Sequence, residues 1–166
     1  SLSTSMGLGF SALAAARAAA AGSTVDEVIA AAQSVRARLH VLLVVDTLEY
    51  LHRGGRLGGA KRLLGTALNI KPVLDLKSGS IEALTQVRTK KKSITQTLDI
   101  IEERLAGKAV AEAAVVNVDS PEEGDAVAIQ IRERFGVDVV LRSPVSPVIG
   151  THVGPGTIGF MLYSKD

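Results

Sequence analysis

The run "HVLLVVD" at positions 40–46 constrains this chain more than any other stretch. It is short, continuous and rich in β-branched residues, which is the pattern of a strand with both faces covered, because alternation with polar residues is absent. A chain holding such a strand must supply apolar layers on two sides of a sheet. The rest of the sequence offers material for both layers.

The helix "STVDEVIAAAQSVRARL" opens at Ser23 or Thr24 as cap, carries Asp26 and Glu27 where the dipole favours anions, and closes on Arg36 and Arg38. The Ala-rich stretch Gly7 to Ala21, stopped by Gly22, reads as another helix. Its apolar or small residues lie almost all round, so it is expected to be buried on most sides. Thr47 is expected to cap a short helix, "LEYLHR", ended by Gly54 and Gly55, with a further helix starting near Gly59. Ile70 to Arg88 alternates sides about a Ser-Gly turn at 78–79 and predicts a hairpin. Beyond it come an amphipathic helix with Ile94, Leu98, Ile101 and Leu105 on one stripe, a strand "AEAAVVNV", and a helix opened by Pro121. The strands "VDVVLR" and "TIGFMLY" follow, and the stretch between them, "SPVIGTHVGPG", reads as a Gly- and Pro-punctuated loop. The expected class is α+β, or mixed α/β: about six strands, largely antiparallel, with flanking helices in one domain over 1–166.

Several function classes are disfavoured by composition. The chain has 166 residues, enough to bury roughly 70% of the surface its unfolded state exposes. No cysteine is present, which removes disulfides and thiolate metal sites and suits a cytoplasmic location. Only His40, His52 and His152 remain as nitrogen ligands, and no HxH or HExxH spacing joins them, so no metal is expected. Nineteen basic residues against 17 acidic, with three Phe, two Tyr and no Trp, give neither a global positive field nor a stacking platform for nucleic acid. The apolar stretch Ala12 to Ala21 is interrupted by Arg17 and is too short to cross a bilayer, so no integral membrane segment is expected.

Three segments carry possible chemistry. In "LEYLHRGGRLGGAKRLLG", four glycines sit among Arg53, Arg56, Lys61 and Arg62. That pattern is either a pair of helix stops with solvated cations or a loop presenting donors to an anion, and it lacks the GxxxxGK[ST] of a P-loop. The lysines of "RTKKKS" oppose the macrodipole at a helix start; the simpler reading is a solvated charge run, the other a bound anion or acidic partner. Finally, "GTHVGPG" sets His152 among glycines that leave backbone amides open, a place suited to holding a carboxylate. Neither a G-x-S-x-G nor an acid partner at a telling spacing supports a catalytic triad around it.

Taken in order, "YLHRGGR", "NIKPVLDLKSGS", "QVRT" and "HVGPG" resemble the DegV family of bacterial fatty-acid-binding proteins, and the opening "STSMGLGFSALAAA" is similar to that family's segment linking two domains. The resemblance spans essentially the whole chain. It implies that the chain is the lipid-binding carboxy-terminal domain, that residues 1–22 form an interdomain packing helix, and that an amino-terminal domain is absent. It also implies a non-enzymatic carrier whose ligand, in place of a cofactor, is a long-chain fatty acid. The carboxyl group would be held by His152 with Thr151, Gly154 and Gly156 around it. Gly54, Gly55 and Arg56 would recognise a fatty acid kinase or the acyl phosphate it makes. The chain departs from the family pattern at Val153, where Thr is usual. Burying about sixteen methylene-like carbons at ~0.8 kcal/mol each contributes about 13 kcal/mol before ordering costs, so the acyl tail would supply affinity and His152 orientation. The alternatives from other classes are a hydrolase using His152 as base and an anion- or nucleic-acid-binding module using Arg88 and Lys90 to Lys92.

Overall fold

A computed structural model describes residues 2–63 and 70–166. In chain order they form α1 (Ser5–Ala20), α2 (Val25–Arg38), β1 (Leu39–Val44), α3 (Glu49–Arg53), a 3-10 turn (Gly58–Leu63), β2 (Lys71–Lys77), β3 (Ser80–Val87), α4 (Lys90–Leu105), β4 (Val110–Asn117), α5 (Pro121–Phe135), β5 (Val140–Pro144), α6 (Pro147–Val153) and β6 (Ile158–Ser164). The strands make one sheet in the order β3-β2-β1-β6-β4-β5. Every pairing is antiparallel except β4 with β5. The mixed class and the largely antiparallel six-stranded sheet expected from the sequence are what the chain forms.

β1 and β6 lie at the centre of the sheet, and this explains their unbroken apolar character: β6 is buried along its whole length. One face of the sheet, carrying Leu42, Val44, Phe160 and Leu162, is covered by α4 and α5 through Ile94, Leu98, Ile101, Leu105, Val127 and Ile131. The other face carries two separate clusters. Phe10 of α1 and Val35 of α2 pack with Val41, Ala114 and Met161 at one end. Leu48, Leu51, Leu57 and Val153 pack with Leu43 and Leu74 at the other.

Four expectations need correction. The segment before β6 is not a loop throughout: Pro147 occupies the first turn of α6, where its missing N–H costs nothing, and His152 sits in that helix's last turn. The strand expected at "VDVVLR" begins three residues later, at Val140, because its pairing runs from Ala113↔Val140 to Asn117↔Pro144 alongside β4; Pro144 is tolerated on this edge strand. Of α1 only Gly7 and Phe10 are buried, while Leu8 and Leu13 are exposed, since one side of the helix packs on the sheet and α2 and alanine leaves little to hide. The helix expected from Gly59 is a 3-10 turn as far as Leu63, and its continuation through 64–69 lies outside the described residues.

Among the described residues no helix is long and apolar enough to cross a membrane.

Candidate functional site

Between the two clusters on the second face lies a cavity of about 510 Å3, within the range of small-molecule sites. Its floor is the sheet: Leu43 of β1, Val116 of β4, and Gly159 and Met161 of β6. Gly159 keeps that floor low. A side-chain carbon there would lie 2.7 Å from Val116 Cγ2 and 3.3 Å from Leu43 Cδ2. Leu51, Ile81, Ile149 and Val153 wall the cavity, and the segment Leu2 to Ser5 closes part of its rim with three hydroxyl-bearing residues.

His152 and Arg56 line this one cavity, although they are far apart in sequence. The link is the packing of α3 against α6. Gly54, the C-cap of α3, approaches the imidazole so closely that a Cβ would lie 2.2 Å from His152 Nδ1. Only glycine fits beside the ring. Nδ1 is buried and among the described residues has no hydrogen-bond partner. A buried polar atom left unpaired costs about 1–3 kcal/mol. The same lack of a partner means that no carboxylate orients the imidazole through Nδ1, as a triad base would require.

The loop after His152 is tied down at several points. Gly154 N–H donates to Gly150 O at 2.8 Å, Gly156 N–H to Val118 O at 2.8 Å, and Thr157 Oγ1 to Val153 O at 2.9 Å. Gly154 and Gly156 both have positive φ and sit against neighbours rather than on the cavity wall. Side-chain carbons at these positions would meet Tyr50 Cδ2 at 2.3 Å and Asp46 Oδ2 at 2.1 Å. Thr151 is exposed and its hydroxyl donates to Val148 O at 2.8 Å. Of the residues expected at the head group, the structure therefore brings His152 to the cavity and places Thr151, Gly154 and Gly156 around its support. Of the glycine-arginine segment, Gly55 and Arg56 line the cavity and Gly54 seats the His152 ring. Arg56 is exposed, and among the described residues its guanidinium has no ion-pair partner.

Of the lysines opening α4, one departs from a solvated run. Lys91 and Lys92 are exposed, but Lys90 is largely buried, lies 2.9 Å from Glu123 and 3.3 Å from Asp46, and donates to Gly156 O. Lys71 joins the same Asp46 carboxylate at 3.1 Å. The acids that offset Lys90, and Lys71 beside it, thus belong to the chain itself, and the network clamps the end of the His152 loop. Neither Asp46 nor Glu123 stood out in the sequence, because nothing in their spacing links them to Lys90. Gly159 was more legible: a glycine inside the apolar strand "TIGFMLY" signals a close approach.

Among the described residues no group of His, Asp and Glu is placed to hold a metal ion. Comparison with known proteins adds four findings. A family model described as an uncharacterised protein of the DegV family matches residues 1–165. A DegV domain-containing protein of Streptomyces coelicolor is 45% identical over 161 residues, covering 96% of this chain and 57% of that protein. Among solved structures, a DegV family protein from Thermus thermophilus described for its fatty acid binding superposes with a TM-score of 0.90 at 34% identity, over 99% of this chain and 59% of that one. DegV from Bacillus subtilis, described as a fatty acid binding protein, gives 0.80 at 30% identity over 95% and 56%. The chain thus spans somewhat more than half the length of these relatives.

Proposed function

The chain belongs to the DegV family, and on that premise we propose that it supplies one side of a long-chain fatty acid site. The acyl chain lies over the sheet floor at Leu43, Val116, Gly159 and Met161, and the carboxyl group pairs with His152. The observation that carries this reading is the place of His152 on the wall of a largely apolar cavity floored by Leu43, Val116, Gly159 and Met161. Fatty acid binding by the Thermus and Bacillus relatives supports it. Thr151, Gly154 and Gly156 serve the head group by holding the His152 loop in place, while residues 1–22 form the helix that packs between domains. The role is that of a carrier in the cytoplasm rather than a catalyst. Arg56, exposed beside the head group with Gly54 and Gly55 behind it, presents the carboxyl to a fatty acid kinase and recognises the resulting acyl phosphate.

The test is mass spectrometry of organic extracts from the purified gene product. A stoichiometric long-chain fatty acid is expected, with the amount falling sharply in His152→Ala. If neither protein carries lipid and added fatty acid fails to bind, the carrier reading is wrong. For the kinase step, Arg56→Ala is expected to keep its lipid and lose acyl phosphate formation; undiminished formation would remove Arg56 from that role.

A further inference from the structure

A second cavity of about 560 Å3 adjoins the first. Its walls come from the end of α2, the start of β1, the end of β2 and the last turn of α4. The β1–β2 ladder stops at the pair Leu42↔Asp75, and beyond it the two strands part, leaving His40 and Lys77 on either side of a cleft. Arg36 and Arg104 complete the charged lining. Arg104 is committed to Asp75 at 2.7 Å. Among the described residues neither Arg36 nor Lys77 has an ion-pair partner. Three full cations therefore face one carboxylate around a concave, half-enclosed space. His40 lines the same cleft: burial and then the Arg104 charge hold its imidazole below the ordinary histidine range, with Asp75 acting the other way.

We propose that this cleft is an anion site for a phosphate or carboxylate group, bound by Arg36 and Lys77 with the outer side of Arg104. Guanidinium and ammonium donors supply charge-assisted hydrogen bonds, and a concave wall strengthens their field over that of scattered surface cations. The cleft is distinct from the His152 site, lying at the opposite end of β1. Leu2, Ser3 and Leu76 line both cavities and form the partition between them. The anion can accordingly arrive in two ways, as a free ion or as the polar end of an acyl chain that passes this partition.

The experiment follows the His40 ring signals of the full protein by NMR, assigned with His40→Gln, during titration with inorganic phosphate against chloride at constant ionic strength. In a parallel arm the titrant is hexadecyl phosphate. Saturable shifts with phosphate, absent with chloride, are expected. Arg36→Gln combined with Lys77→Gln is expected to weaken binding at least about tenfold, as loss of hydrogen bonds to a charged group implies. Both side chains are exposed, so the variant should fold, and the wild-type titration stands without it. Saturation by inorganic phosphate identifies a free anion; saturation by hexadecyl phosphate alone identifies an acyl-borne one. If neither saturates, or if the double variant binds as well as wild type, the site does not exist. Fatty acid content measured on the same samples keeps this result separate from the fate of the His152 reading.

Discussion

The two faces of the sheet are built from the same strands yet treat their apolar surface in opposite ways. Under α4 and α5, Leu42, Val44, Phe160 and Leu162 meet a continuous layer of helix side chains. On the other side, Val41, Leu43, Met161 and Val116 are covered at two ends only, and the middle stays open. Adjacent residues of β6 thus serve different ends: Phe160 fills the closed face, and Gly159 hollows the open one. The lesson is a division of labour, in which a closely packed layer secures the fold and so allows its neighbour to keep an uncovered cavity.

The comparison breaks first at Phe160. Phe160→Ala removes a wholly buried ring from the closed face and is expected to cost about 3–5 kcal/mol, read as a lower denaturation midpoint with an unchanged slope. A much smaller loss would mean that the closed face is not the main source of stability. Its neighbour should behave otherwise. Gly159→Val drives carbons into Val116 and Leu43, so a loss of about 1–3 kcal/mol from overpacking is expected, together with disappearance of bound fatty acid from organic extracts. Retention of lipid by a folded Gly159→Val protein would show that the acyl chain does not rest on this floor.

A smaller effect is expected at the rim. Gly54→Ala places a methyl where His152 Nδ1 lies and forces the ring away. Affinity for fatty acid should fall about tenfold or more, as for His152→Ala, since each removes a hydrogen bond to a charged group. A double substitution should be little worse than either alone. Independent, additive losses would instead mean that Gly54 and His152 act separately.

How far these contrasts were legible in the sequence depended on the distance over which their causes act. Strands β1, β2, β3 and β6 and helices α2, α4 and α5 announced themselves through local signals: apolar runs, a Ser-Gly turn, a capping threonine and a first-turn proline. Of the two caps the sequence offered, Ser23 and Thr24, it is Thr24 that caps α2, in a capping box with Glu27. The hairpin turns at Ser78 and Gly79 as expected. Helix α6 was hidden because Pro147 and Gly150, which punctuate most loops, are tolerated in a helix of seven residues held by its neighbours. The site was legible in its parts, with His152 and the glycine-arginine segment both visible. Their meeting was not, because it depends on α3 docking against α6. The Lys90 clamp and the cationic cleft stayed out of sight for the same reason: Asp46, Glu123, Arg36 and Lys77 come together only once the sheet has formed.

The smallest predicted effect concerns His40, which lies at the open end of the closed face. Its pKa is depressed by burial first and by Arg104 second, while Asp75 opposes the shift; Arg36 and Lys77 line the same cleft. A histidine whose folded pKa lies below its unfolded value of 6.5 binds fewer protons when folded, so stability rises with pH across that interval. The contribution is fully present above about pH 6.5 and is lost as pH falls through the folded value. Glu112, held low by its hydrogen bond from Arg17, follows the same sign but acts in a lower window, below its ordinary value of 4.5. Denaturation midpoints measured from pH 7.5 downward should therefore decline first through the histidine window, and His40→Gln should flatten that first decline while leaving the later acid loss in place. An unchanged first decline in His40→Gln would assign it to another group. Phosphate should also flatten it in the wild type if the cleft holds an anion, because a negative charge facing His40 raises its folded pKa toward the unfolded value and so shrinks the difference that makes the slope.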